Sequence, residues 1–253
     1  MTNVKPIISR IGGKYFNKKK ILKAFPPIDD YNTFVDVFLG GGNILLNAPR
    51  VEHMIGTDTD ELIVKLFNAV KRVDPDFVYD YNFKKSRKRF DILKNYKPET
   101  DEEYLYKVLY LSKYSYLGKR ESYVSSGDKP SINIDNLHEI IKIVKERLKG
   151  VKIEKSSFEN TIDKYDSDNT FFYLDPPYYE TYTGAYQTGD INHEELRDIL
   201  KDVKGKWLLT YNDHPYIRKL YKGFKIRKYS AQQIGEKGGR GSRKLFELLI
   251  SNY

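Results

Sequence analysis

The 253-residue chain contains no cysteine. Disulfides and thiolate metal sites are thereby excluded, and stabilisation for export is disfavoured. Histidine is scarce: His53, His138, His193 and His214 are the full set, and their spacing matches no ligand pattern. A transition-metal site is therefore not expected. No apolar run is long enough to span a bilayer. The first residues also lack the apolar stretch of a secretion signal, so a cytoplasmic protein is expected, with no membrane partner. Negative charge is in deficit, with 35 Asp and Glu against 44 Lys and Arg, leaving a net charge of +9. Such an excess favours a polyanionic partner, because phosphate neutralisation drives sequence-independent nucleic-acid affinity.

The 40% of hydrophobic residues suffices for one large domain, or for a core domain with an inserted module. Strand-like and helix-like segments alternate, which argues a layered α/β fold. Residues 33–38 read as a first strand, Gly40-Gly41-Gly42 as the loop after it, and Asn43 to Asn47 as the start of a helix. Residues 53–57 read as a second strand. Leu62, Leu66, Val70 and Val73 recur at helical spacing over 61–73. Further strands are expected at 151–155, 171–174, 207–211, 224–229 and 245–250, with a helix over 194–203. Between about 76 and 150 the rhythm breaks. A basic run (Lys84 to Arg89), a tyrosine-rich helix over 101–117, a polar stretch and another helix over 136–149 occupy this span. The expected division is therefore 1–75 plus 151–253 as the catalytic core, interrupted by an insert at 76–150.

Asp175-Pro176-Pro177-Tyr178 follows the apolar run Phe171 to Leu174. An acid, two prolines and a ring thus fall at the C-terminal edge of a strand, where open α/β sheets bind ligands. The prolines end strand pairing and stiffen the backbone. A carboxylate, a proline carbonyl and a flat π-face suit an exocyclic amino group on a stacked nucleobase. The four residues resemble the signature of amino-group methyltransferases that use S-adenosylmethionine, in the Asp-first version typical of enzymes acting on adenine N6.

The glycine loop lets a ligand approach the backbone without a Cβ in the way, although an ordinary strand–helix turn has the same glycines. Leu45 stands where the dinucleotide fingerprint needs Gly or Ala, which demotes a nicotinamide cofactor. Asp58 ends the second strand about twenty residues on, where an acid meets ribose hydroxyls. The alternative is an N-cap in a capping-box spacing with Glu61; the register with the glycine loop favours ribose binding, and both roles can hold together.

Arg10-Ile11-Gly12-Gly13-Lys14, Phe34 to Gly42, Thr57-Asp58-Thr59-Asp60 and Asp175 to Tyr178 occur in that order. The chain resembles the Dam-like (D12 class) DNA adenine-N6 methyltransferases, which carry a recognition insert between cofactor and catalytic motifs. Leu209 to Asp213 and Leu248 to Tyr253 look like that family's late strands. The resemblance implies a Rossmann-like S-adenosylmethionine-dependent methyltransferase sheet with an inserted, mainly helical target-recognition subdomain. It implies S-adenosylmethionine as cofactor with no metal, and double-stranded DNA as partner. It also implies either a cognate restriction endonuclease or a solitary modifier, nucleoid-associated or viral. Arg10, Lys14, Asp36, Phe38, Gly40, Gly42, Asp58 and Asp175 would line the cofactor pocket. Phe158 would lie on the cofactor adenine, or else in the core. Asp175 and the Pro176 carbonyl would grip N6, and Tyr178 would stack on the extruded base.

For DNA contact the expected residues are Lys119, Arg120 and Lys129 in the insert and Arg240 in the glycine-rich cationic stretch 235–244, which otherwise only joins two strands. Lys84 to Arg89 reads as a solvated helix face. Tyr106, Tyr110 and Tyr114 share one helical face and read as a core stripe. Gly118 to Tyr123 departs from the family's recognition hairpin, so GATC specificity is not carried over. The competing readings are the same chemistry on cytosine N4 or RNA, and a non-catalytic DNA-binding module. Tyr182 and Tyr186 are candidates for closing over the site.

Overall fold

The computed structural model describes residues 3–8, 12–115, 120–124, 131–180, 191–231 and 245–253. Arg10, Lys119, Lys129, Tyr182, Tyr186, Arg240 and the whole 235–244 stretch lie outside the described residues.

Strand β1 (Thr33–Asp36) and β4 (Thr170–Leu174) form the centre of the sheet. Their inner residues, Phe34-Val35 and Phe171 to Leu174, run without polar alternation, as expected for strands covered on both faces. Side chains alternate sides. Phe34, Phe171 and Tyr173 enter one core, and Val35, Phe172 and Leu174 the other. With β2 (His53–Asp58), β3 (Val151–Lys155), β5 (Lys206–Asn212), β6 (Lys225–Ala231) and β7 (Leu245–Ser251), the described strands form one sheet in the order β3-β2-β1-β4-β5-β7-β6. The pairings among β3, β2, β1, β4 and β5 are parallel, whereas β7 runs antiparallel to β5 and β6. The chain turns to opposite sides of β1 to reach β2 and β4, so a switch point opens at the β1 and β4 C-termini, where ligands of such sheets bind.

Helix α1 (Lys18–Leu22) precedes the sheet, and α2 (Glu61–Arg72) follows β2. Between α2 and β3 come α3 (Arg87–Asn95), α4 (Asp101–Tyr114) and α5 (Ile134–Arg147). Thr100 and Glu103 close a reciprocal capping box on α4. Phe83, Phe90, Leu93 and the α4 tyrosines share a continuous core with α2 and one sheet face. Tyr106 is buried, and Tyr110 and Tyr114 completely so. The stripe is core, and its hydroxyls meet backbone groups of residues 82–86.

On the other face lie α6 (Phe158–Tyr165), α7 (His193–Asp202) and α8 (Pro215–Leu220). Sequence periodicity missed α6 and α8. The expected helix at Asn43 to Asn47 is instead a run of turns. Leu46 and Ala48 make helical bonds to Gly42 and Ile44, but the Leu45 N–H donates to Asp36 Oδ2 at 3.1 Å. Pro49, lacking an N–H, cannot extend the coil.

Candidate active site

Parallel register places Asp36 opposite Tyr173, so the backbone alone brings Asp175 to the same sheet edge two residues on. The Asp175 carboxylate is fixed by two neighbours distant in sequence. Lys14 Nζ is 2.8 Å from Oδ1, in a pair whose side chains are 5% and 18% exposed. The Thr210 hydroxyl on β5 donates to the same oxygen at 2.7 Å. Having one proton to give, Thr210 is then the acceptor for the Tyr173 hydroxyl 3.2 Å away. Among the described residues nothing donates to Asp175 Oδ2. Lys14 Nζ also donates to the Gly12 carbonyl at 3.0 Å and stands 4.7 Å from the centre of the Tyr178 ring. Burial, followed by the Asp175 charge, raises the Tyr178 phenol well above its ordinary pKa, so it stays neutral.

Lys14, Asp36, Phe38 and Gly40 line a cavity of about 270 Å³, completed by Asp58, Phe158 and Asp175. Asp36 is 1% exposed, and its Oδ1 has no hydrogen-bond partner among the described residues. Burial, then the neighbouring Asp175 charge, pushes its carboxyl up to about 8. Phe38 and Phe158 stack on the wall, ring centres 6.1 Å apart and planes 28° from parallel. Phe158 therefore serves the core and the cavity at once, at the first turn of α6, which Ser157 caps.

Asp58 is not the N-cap of α2. That place belongs to Asp60, which accepts from the Leu62 N–H at 3.0 Å. The Asp58 carboxylate accepts from Gly40 N at 2.8 Å and from Asp60 N at 2.9 Å, tying the glycine loop to the end of β2. Gly40 adopts φ +48° beside the cavity. Gly42, at φ +68°, falls outside the lining. It packs against Phe67, whose Cζ would lie 2.6 Å from any Cβ there. Its glycine is required by packing, whereas Gly40 borders the ligand space. Pro176 is buried and Tyr178 half-buried, also outside the lining. Arg120 adopts φ +62° and donates its N–H to Ser115 Oγ at 2.9 Å. Two residues that sequence reasoning left without a role join the site: Asn43, buried on the cavity wall, and Thr210. Both stand inside motifs already noted, directly after the glycine loop and within the β5 strand.

The acid set, one lysine and paired rings give the cavity a defined chemistry. Five acidic residues on the lining (Asp36, Asp58, Asp60, Glu159 and Asp175) against Lys14 suit a ligand with positive charge. Two stacked rings suit a purine face. Among the described residues no group of His, Cys, Asp or Glu gathers that could hold a metal ion, and no helix is long and apolar enough to cross a membrane.

The model of the D12 class N6 adenine-specific DNA methyltransferases matches residues 11–233. The chain is 25% identical over 230 residues to the Type II methyltransferase M.CviBI of Paramecium bursaria Chlorella virus NC1A, covering 87% of this chain and 88% of the relative. It is 28% identical over 291 aligned positions to the Type II methyltransferase M.MjaIII of Methanocaldococcus jannaschii, covering 99% of both. A DNA adenine methylase of Vibrio cholerae is 23% identical over 265 positions, covering 94% of this chain and 92% of the relative. With the order of motifs, the sheet and the cavity in agreement, the chain belongs to the D12 class N6 adenine-specific DNA methyltransferases.

Proposed function

We propose that the protein transfers a methyl group from S-adenosylmethionine to N6 of an adenine extruded from double-stranded DNA. The observation that carries this reading is the half-occupied carboxylate of Asp175. Oδ1 is held by Lys14 and Thr210, which leaves Oδ2 without a donor among the described residues, and Asp175 lines a cavity fit for a cationic, purine-bearing ligand.

When bound, S-adenosylmethionine supplies an electrophilic methyl for in-line displacement. Asp58 suits the ribose hydroxyls, Phe38 and Phe158 the adenine ring, and Asp36 the positive charge. N6 of adenine is a weak nucleophile because its lone pair is delocalised. Asp175 Oδ2 and the Pro176 carbonyl accept the two N6 hydrogens, favour pyramidal nitrogen, and stabilise the positive charge that develops there. Fixing Oδ1 prevents the carboxylate from rotating away, so the alignment of N6 behind the methyl is set before the base arrives. Tyr178 stacks on the base, a contact worth roughly 1–3 kcal/mol, which offsets part of the extrusion cost. After transfer the cationic nitrogen releases its proton to solvent. Two of the relatives are Type II methyltransferases by name, which favours a cognate restriction endonuclease as the functional partner.

The test is incubation with labelled S-adenosylmethionine and mixed-sequence duplex DNA, followed by nucleoside analysis. N6-methyladenine is expected. Label in N4-methylcytosine, or in RNA alone, overturns the proposal.

Asp36 makes cofactor binding pH-dependent in a defined direction. In the empty site its carboxyl keeps a proton up to about pH 8, whereas a cationic ligand favours the carboxylate. Affinity for S-adenosylmethionine is therefore expected to rise from pH 6 to 8, by up to about tenfold per unit, with a proton released on binding. The empty fold behaves oppositely. The stability from this group is fully present below its ordinary value of 3.8 and is lost as pH climbs to about 8. Calorimetry in buffers of different ionisation enthalpy counts the proton. A pH-independent affinity that Asp36→Asn leaves unaltered would show that Asp36 does not face the ligand.

A further inference from the structure

We infer that the N-terminal half of α3 and the 120–124 turn form one face for the phosphate backbone of duplex DNA, centred on Lys85 and Arg87. The inference rests on the proposed DNA substrate and assigns where its backbone is held.

Read along the chain, the basic run and the loop after α4 are separate segments, and only the loop stands out as a candidate for DNA contact. In space they are one surface. Lys85 Nζ and Arg87 Cζ lie 5.9 and 5.7 Å from the centre of the same Tyr123 ring. Tyr123 packs edge-on against Phe90 of α3 at 5.5 Å. Lys94 Nζ donates to the Glu121 carbonyl at 2.9 Å. The turn is tied to the end of α4 by the Ser115–Tyr123 bridge and by the Val124 N–H, which donates to the Tyr114 carbonyl at 3.0 Å.

The basic run is mounted rigidly. Tyr106 and Tyr114 hydroxyls donate to the carbonyls of Asn82 and Phe83, each at 2.8 Å. The Tyr110 hydroxyl donates to the Lys84 carbonyl at 3.0 Å and accepts from the Ser86 N–H at 2.9 Å. Three buried tyrosines thus set the direction of the backbone that carries Lys84 and Lys85. Not every cation of the run serves the face: Arg89 Nη1 folds back to the Lys84 carbonyl at 3.1 Å. Arg87 is 68% exposed and pairs at 3.0 Å with Asp91, itself 55% exposed. An exposed i,i+4 pair of this kind is weak, so a phosphate displaces Asp91 readily. From Lys84 to Lys94 there are six cations and one acid. Flexible lysines around a ring suit phosphates, which fix position without reading sequence.

The test is the salt dependence of binding between the full-length protein and fluorescent duplexes of several sequences. In Lys85→Ala/Arg87→Ala the slope of log affinity against log salt is expected to fall by about 1.8, roughly 0.9 per lost phosphate contact. The loss should be equal for every duplex, with S-adenosylmethionine affinity unchanged. The charge-keeping Lys85→Arg/Arg87→Lys should retain the wild-type slope. Lys201→Ala/Lys219→Ala, on the opposite sheet face, should retain it too. An unchanged slope in the first variant overturns the inference, as does an equal loss in the control. A deficit seen with single-stranded RNA but not duplex DNA also overturns it. If the wild type binds duplex DNA with the expected slope yet methylates no adenine, the chemical reading fails while the face stands.

Discussion

Asp175→Asn is expected to lower single-turnover methyl transfer by on the order of 10²–10³-fold or more, with cofactor affinity held within a few-fold. The substitution is close to isosteric, and Thr210 and Lys14 choose its orientation. Both donate to Oδ1, so the amide oxygen takes that place and the NH2 takes the place of Oδ2. A donor then confronts the N6 hydrogen where an acceptor was required, and the charge that would stabilise the cationic nitrogen is gone. Asp175→Ala removes the same function but also deletes the carboxylate that Lys14 pairs with, which makes the amide the cleaner variant. The readouts are the single-turnover rate and the dissociation constant for S-adenosylmethionine, measured on one preparation. Comparable losses in both would mean that Asp175 serves the cofactor and not the amino group.

Thr210 has the same logic one step removed. It touches no substrate in this scheme, yet it determines which carboxylate oxygen remains available. Its position follows from β4 and β5 being neighbours in register, Leu174 opposite Leu209. That adjacency brings together residues 35 positions apart, and no local pattern encodes it. The strands themselves were legible because Phe171 to Leu174 and Leu248 to Ile250 are short, apolar and bounded by polar residues. The site motifs were legible because each falls at the end of such a strand, and parallel register brings strand ends together.

Two departures share one physical cause, namely competition for backbone groups by side chains distant in sequence. Residues 43–47 have adequate helical spacing, but Asp36 takes the Leu45 N–H and Pro49 stops propagation. Asp58 has the spacing of a cap, yet its carboxylate is drawn to Gly40 across the strand–loop junction, and Asp60 caps in its place. Helix α6 is short and polar, so its apolar period at Phe158, Ile162 and Tyr165 is easily passed over. Its Ser157 cap was the available signal. For α8 the signal was Pro215 in the first turn behind the His214 cap. The basic run reads as a solvated helix face, and Arg87 and Lys88 are indeed exposed on α3; that the Tyr123 ring lies near Lys85 and Arg87 is a tertiary contact no local pattern encodes.

Lys14 carries the second large effect, and it is expected on stability as well as rate. Lys14 is 5% exposed and its partner Asp175 18%, so neither charge has full access to water. Removing one partner of a buried pair costs roughly 3–5 kcal/mol, and the partial exposure of Asp175 puts Lys14→Ala toward the lower end. Methyl transfer should fall as well, because Oδ1 loses its stronger anchor and Tyr178 loses the cation 4.7 Å from its ring. A lysine needed only for packing would make the same stability change regardless of residue 175. A charge pair would not: in the Asp175→Asn background no carboxylate is stranded, so Lys14→Ala should cost much less. The double-mutant cycle by chemical denaturation is expected to give a coupling of about 1–3 kcal/mol, within the range found for residues in direct contact. A coupling below about 0.5 kcal/mol, the level at which independent sites simply add, would mean that Lys14 supports the fold without holding Asp175 in place.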